Sequence, residues 1–162
     1  MSQKHHKFDH SIVMSYAQYF RTMFSRTISM LREFESAFGK EEVERVLTAW
    51  SEKMGAAMAP SDITSFSEFK DYWKSTLASE DWSKILTCSF PKETETELGC
   101  KYTECLWAKT MKDLDATDLG HVMFCQPDFT MAKAMNPKLT LERTKTLMEG
   151  HDFCDHTYSW EE

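Results

Sequence analysis

One stretch limits the fold more than any other: SIVMSYAQYFRTMFSRTISMLREFESAFG, residues 11 to 39. Ile12, Tyr16, Tyr19, Phe20, Met23, Phe24, Ile28, Leu31, Phe34 and Phe38 recur there at spacings of three and four. A chain that begins this way forms a long amphipathic helix and has to cover a broad apolar stripe. Gly39 is a suitable stop. EEVERVLTAWSEKMGAAM repeats the pattern through Val43, Val46, Leu47 and Trp50. A third helix is predicted after Ser61 or Asp62, either of which can cap it. Phe66, Phe69, Trp73 and Leu77 line its face. His5, His6 and His10 sit in the segment before the first helix, where a solvated tail is the default and a metal site the alternative.

The second half changes period. KILTCSFPKETETELGCKYTE reads as two short strands around a turn near Pro91. CLWAKTMKDL reads as a short helix. GHVMFC is rich in β-formers and is predicted to be a strand, with Pro127 opening the helix QPDFTMAKAM after it. The rival reading is a single helix from Thr117 to Met135, kinked at Pro127. Asn136-Pro137 ends that helix. LTLERTKTLM alternates and is predicted to be a strand, Glu149-Gly150 a turn, and FCDHTYSW the returning strand. The expectation is one domain over 1–162 of class α+β. A mostly helical N-terminal half (1–80) packs on a C-terminal antiparallel β-sheet, with one or two short helices in the β-rich part, 81–162.

Charge and composition narrow the function. The formal charge of −7 comes with no dense Lys/Arg stripe, which argues against nucleic acid and against an anionic membrane surface. No run of about 20 apolar residues spans a bilayer. The N-terminus shows no apolar signal core. The five cysteines form no CxxC pair, so reduced thiols in a cytoplasm are expected. The 11 Met and 11 Phe read as adaptable core filling. A small-molecule substrate is the expected partner, and a homo-oligomer stays open.

The chemistry-bearing residues cluster late. Cys125 is placed at a strand end and Asp128 in the following first helical turn, where free N–H groups and the helix dipole gather. Such a place can depress a thiol pKa and hold an anion. The plainer reading makes Asp128 a good first-turn residue and Cys125 a small buried one. In the last strand, Cys154, His156, Tyr158 and Trp160 point one way, and Phe153, Asp155, Thr157 and Ser159 the other. Cys105, His121, Cys125, Cys154 and His156 are suitable zinc ligands, though none of the tight zinc spacings is present. His121 and Cys125 share a face only if that segment is helical. No GxSxG elbow, GxGxxG or Walker pattern occurs, so nucleotide cofactors are not expected.

Together these landmarks resemble the L-2-amino-thiazoline-4-carboxylic acid hydrolase family. They are Cys105 with Trp107, Leu119-Gly120, Cys125 and Asp128 with two residues between them, Asn136-Pro137, the basic Arg143-Thr-Lys-Thr146, Gly150, and Cys154-Asp155. His156 departs from the pattern, since an aromatic residue, often Phe, is usual there. The resemblance implies a hydrolase acting on a non-peptide cyclic C–N bond. Its namesake reaction opens 2-amino-thiazoline-4-carboxylate to N-carbamoyl-cysteine. It implies a site built from Cys125, Asp128, Cys154 and Asp155, with a carboxylate as base or a Cys as nucleophile, Cys125 before Cys154. Cys105, Arg143, Lys145 and Thr146 would bind substrate, a cation meeting its carboxylate. No cofactor is assigned, and zinc or another divalent metal stays open. A more distant likeness is to small-molecule-binding domains of the 4-vinyl-reductase type, some of which hold zinc. The alternative is therefore a non-catalytic ligand-binding or sensor domain. A plain structural or interaction protein would lack an enclosed polar site near Cys125 and Cys154.

Overall fold

A computed structural model describes residues 11–60 and 62–161. His5, His6, His10 and Ser61 lie outside the described residues. Helix α1 spans Tyr16–Phe38, α2 Lys40–Met58 and α3 Phe66–Ala78. Helix α1 begins at Tyr16 rather than Ile12, because Ser15 and Gln18 form a capping box. The Ser15 hydroxyl accepts from the Gln18 N–H, and the Gln18 side chain accepts from the Ser15 N–H at 2.9 Å. Gly39, at φ 89°, closes α1 and starts α2. Helix α3 starts later than predicted, since Ser65 is the residue whose hydroxyl accepts from Glu68 N–H. Phe66, Phe69, Trp73 and Leu77 are all buried, while Val46 and Trp50 on α2 are left exposed.

The second half holds β1 (Leu86–Glu93), β2 (Glu97–Cys105), α4 (Leu106–Asp113), α5 (Thr117–Gly120), α6 (Pro127–Met135), β3 (Leu139–Arg143) and β4 (Cys154–Trp160). The four strands form one antiparallel sheet in the order β1-β2-β4-β3. Pro91 is not in the turn. It lies inside β1, where the register with β2 slips between Ser89 and Lys92. An edge strand at a bulge is where a missing N–H costs least. The turn falls at Thr94 to Thr96, whose hydroxyl at Thr94 accepts from Glu97 N–H at 2.9 Å.

Two predicted strands are corrected. GHVMFC forms no strand: α5 runs straight into a five-residue π turn, His121–Cys125, and then into α6. The Gln126 N–H donates to the His121 carbonyl five residues back, at 3.1 Å. Pro127 supplies the reason. It has no N–H to give, and its ring crowds the carbonyl four residues earlier, so the ladder opens there by one residue. The continuous helical reading was the better one, with Val122 and Met123 buried on the helical core. LTLERTKTLM is a strand only to Arg143. The Asp155 carboxylate takes the N–H groups of Thr144 and Lys145, which leave the ladder. A 3-10 turn follows at Leu147–Glu149, capped by Thr146 and closed by Gly150 at φ 91°.

Two apolar cores result. One lies between α3, α6 and the sheet and includes Phe69, Trp73, Leu98, Met135, Leu139 and Tyr158. The other joins α1, α2, α4 and α5 through Ile28, Leu31, Leu47, Met111 and Leu119. Leu147 packs against both. Helices α2 and α6 approach closely at Gly55, where a Cβ would run into Thr130 Oγ1 and the Pro127 carbonyl. This is the predicted α+β arrangement, helices packed on an antiparallel sheet. No described helix is long and apolar enough to cross a membrane.

Candidate functional site

Element ends meet at the seam between the two cores. Cys105 closes β2 and caps α4, its sulfur accepting from Ala108 N–H at 3.5 Å. Cys125 ends the π turn, Asp128 stands in the first turn of α6, Arg143 ends β3 and Cys154 starts β4. The Cys154 sulfur accepts from Leu147 N–H at 3.2 Å. Arg143 joins the pieces: its Nη1 donates to Asp128 Oδ2 at 2.8 Å and to the Cys125 carbonyl at 3.0 Å. The guanidinium lies 4.8 Å from the Phe129 ring centre. Only 4% of the Arg143 side chain is exposed, against 25% for Asp128. Among the described residues, Nη2 and Nε of Arg143 have no protein acceptor.

Burial dominates the electrostatics. Desolvation pushes the Asp128 carboxyl up to about 7, even with Arg143 drawing it the other way. The quarter of the side chain still open to solvent gives that carboxyl a route to water. Burial also pushes the Cys105 thiol up to about 11, and the Cys125 and Cys154 thiols upward. The charge of Asp128 adds to the upward shift of each of these thiols. Cys125 is not at an isolated helix N-terminus, so the expected lowering of its pKa has no structural basis; at neutral pH it is a thiol.

Four site candidates face elsewhere or are already occupied. Asp155 lies on the opposite strand face from Cys154, and it accepts from Thr144 N–H at 2.9 Å, from the Thr144 hydroxyl and from Lys145 N–H. Those bonds hold its carboxyl below the usual range, against the opposing effect of burial. Lys145 is exposed and its Nζ lies 5.0 Å from the Phe153 ring centre. Thr146 is buried, with its hydroxyl donating to Glu149 Oε2 at 2.7 Å and accepting from Glu149 N–H at 3.1 Å. His121 Nε2 lies 3.8 Å from Glu149 Oε2. Among the described residues no three His, Cys, Asp or Glu side chains are grouped to hold a metal ion.

Two residues beside the site were not assigned to it in sequence, His156 being named only as a possible zinc ligand. His156 and Tyr158 follow Cys154 on the inward row of β4, where alternation had put them. His156 Nδ1 and Tyr158 Oη are buried with no hydrogen-bond partner. Arg143 pairs with His156 across β3 and β4. Tyr102, facing His156 at 4.8 Å between ring centres, accepts from Trp73 Nε1 at 3.1 Å. The seam is thus an interior row of polar groups and not a plain hydrophobic core. An open cleft of about 360 Å³ lies elsewhere, on Glu35, Lys40, His121, Gln126 and Met148, and neither Asp128, Arg143 nor any of the three thiols lines it.

Burial holds the His156 imidazole down to about 3. As pH falls from 6.5, the unfolded chain takes this proton while the native one does not, so the group costs stability through that window. His156→Phe keeps a ring against Tyr102 and removes an unpaired buried nitrogen. It is expected to gain about 1 kcal/mol in urea unfolding at pH 7. The gain should grow on acidification toward pH 4.

The sequence model of the family described as L-2-amino-thiazoline-4-carboxylic acid hydrolase matches residues 13–158. No curated protein matches the chain. Among solved structures, the phenol-responsive sensory domain of the transcription activator PoxR, with phenol, is similar at 8% identity and a TM-score of 0.45. The match covers 93% of this chain and 76% of that one. An Fe(II) unliganded H-NOX protein variant from K. algicida is similar at 11% identity and a TM-score of 0.41, over 86% and 74% of the two chains.

Proposed function

The chain belongs to the L-2-amino-thiazoline-4-carboxylic acid hydrolase family, and from that premise we propose that it opens a small cyclic amidine, with 2-amino-thiazoline-4-carboxylate as the first substrate to test. The observation that carries this reading is the ion pair of Arg143 with the partly exposed Asp128, whose carboxyl is pushed up to about 7. A carboxylate poised near neutrality is a suitable general base.

In the proposed reaction, the substrate carboxylate meets the Nη2 and Nε donors of Arg143 that no protein group uses. Asp128 takes a proton from a water as the water oxygen bonds to the ring carbon C2. That proton passes to the ring nitrogen. The C2–S bond, and not the ring C–N bond expected from the resemblance, then breaks, and the added hydroxyl gives up its proton by way of Asp128 to the departing sulfur. One water is consumed and N-carbamoyl-cysteine leaves. The raised thiols favour water over Cys125 or Cys154 as the attacking group, because a neutral thiol is a poor nucleophile. In this route they donate hydrogen bonds to the leaving sulfur. The five free cysteines support a reducing compartment such as the cytoplasm.

The test is incubation of the full chain with L-2-amino-thiazoline-4-carboxylate, with mass spectrometry to follow gain of one water. Product formation that survives Cys125→Ser and Cys154→Ser supports the water route. Loss of product in either variant, with folding intact, moves the role to that cysteine. Binding without turnover returns the chain to the ligand-binding reading.

A further inference from the structure

The described residues include an apolar face that none of them covers. Among the described residues, thirteen of the fifteen large apolar side chains left exposed lie between Ile12 and Met58. Ten of them stand on α1 and α2, with exposures from 37% at Met54 to 68% at Phe38. The core takes only Phe20, Ile28 and Leu31 of α1 as fully buried residues. The broad sequence stripe is therefore two stripes, one turned inward and one outward.

We infer that the outward stripe of α1, with the exposed side chains of α2 beside it, is the interface of a homodimer in which two copies of α1 pair antiparallel. The first support is area. At these exposures, side chains of this size each present on the order of 100 Å², and ten present roughly 1,000 Å². A stable interface takes about 800 Å² from each partner, whereas a monomer rarely leaves a patch beyond a few hundred. The second support is self-complementarity. A two-fold contact requires each residue to meet a partner from the same surface. Tyr19 and Met23 lie as far before the point between Arg26 and Thr27, half a residue from the centre of α1, as Phe34 and Met30 lie after it. Antiparallel pairing about that midpoint sets Met23 against Met30 of the second copy, and Tyr19 against Phe34. A partner of another sequence gains nothing from that symmetry.

Light scattering coupled to size exclusion tests this on the full chain at micromolar concentration. The expected mass is twice the 18.9 kDa of the chain. Met23→Glu and Met30→Lys are surface changes, and each alone should give a monomer with unchanged circular dichroism. The double variant should recover the dimer, because each introduced carboxylate then faces an introduced ammonium of the other copy. A monomeric parent chain, single variants that remain dimeric, or a double variant that stays monomeric would each overturn the proposed pairing.

Discussion

Asp128→Asn is expected to lower kcat/KM for 2-amino-thiazoline-4-carboxylate by ~10³, within the usual range for a general base. The amide keeps the shape and can still accept from Arg143 Nη1, so the fold should hold. The pH dependence gives a second readout. The base works ionised, and its carboxyl is held up to about 7 by desolvation. Parent kcat/KM should therefore rise about tenfold per pH unit below 7 and level off above it. The residual activity of the variant should lose that inflection. Stability runs the opposite way. Between the ordinary carboxyl value near 3.8 and about 7, the native chain holds this proton more tightly than the unfolded one. Its contribution is fully present below that window and is lost as pH rises through 7. Full turnover by the variant would remove Asp128 from the reaction.

Gly55→Ala should cost about 2–3 kcal/mol in urea unfolding, against the gain of roughly 1 kcal/mol that a helix interior normally makes from the same change. The sign reverses because α2 and α6 touch there. The new methyl would meet the Pro127 carbonyl and Thr130 Oγ1, with the Pro127 carbonyl carbon only 3.1 Å away. A hydroxyl can rotate aside, but a backbone carbonyl cannot. Helix α6 would have to move outward, taking Asp128 with it. Activity should fall along with stability, and low temperature should restore the fold without restoring kcat. A neutral or stabilising result would mean that the two helices separate easily.

The helical half was legible because its signal is periodic and local: Phe66, Phe69, Trp73 and Leu77 occupy the face their spacing predicts. Caps, not periodicity, set where helices begin, so Ile12 and Ser61 misled while Ser15 and Ser65 decided. GHVMFC misled because Val, Phe and Cys suit a strand, and burial against α1 and α2 overrode propensity. Cys105, Cys125, Asp128, Arg143 and Cys154 were all singled out, and all lie at the seam. Asp155, Lys145 and Thr146 were grouped with them by the family resemblance, yet strand alternation and a capped turn direct them elsewhere. Tyr158 was placed on the row of Cys154 but not assigned to the site, because an inward Tyr on a strand looks like core until its hydroxyl is found unpaired.

The π turn at His121–Cys125 holds one residue more than an α-helical path would need. One residue on a helix is about 100° of rotation and 1.5 Å of advance. That extra residue clocks α6 against α5, and so decides which side of α6 looks toward the end of β3. Asp128 reaches Arg143 because of that setting. The aim of the carboxyl therefore depends on how many residues lie between Gly120 and Pro127 more than on which ones they are. In a lineage of such chains, substitutions within this segment would leave the pairing aligned, whereas gain or loss of a single residue would turn the carboxyl out of the seam.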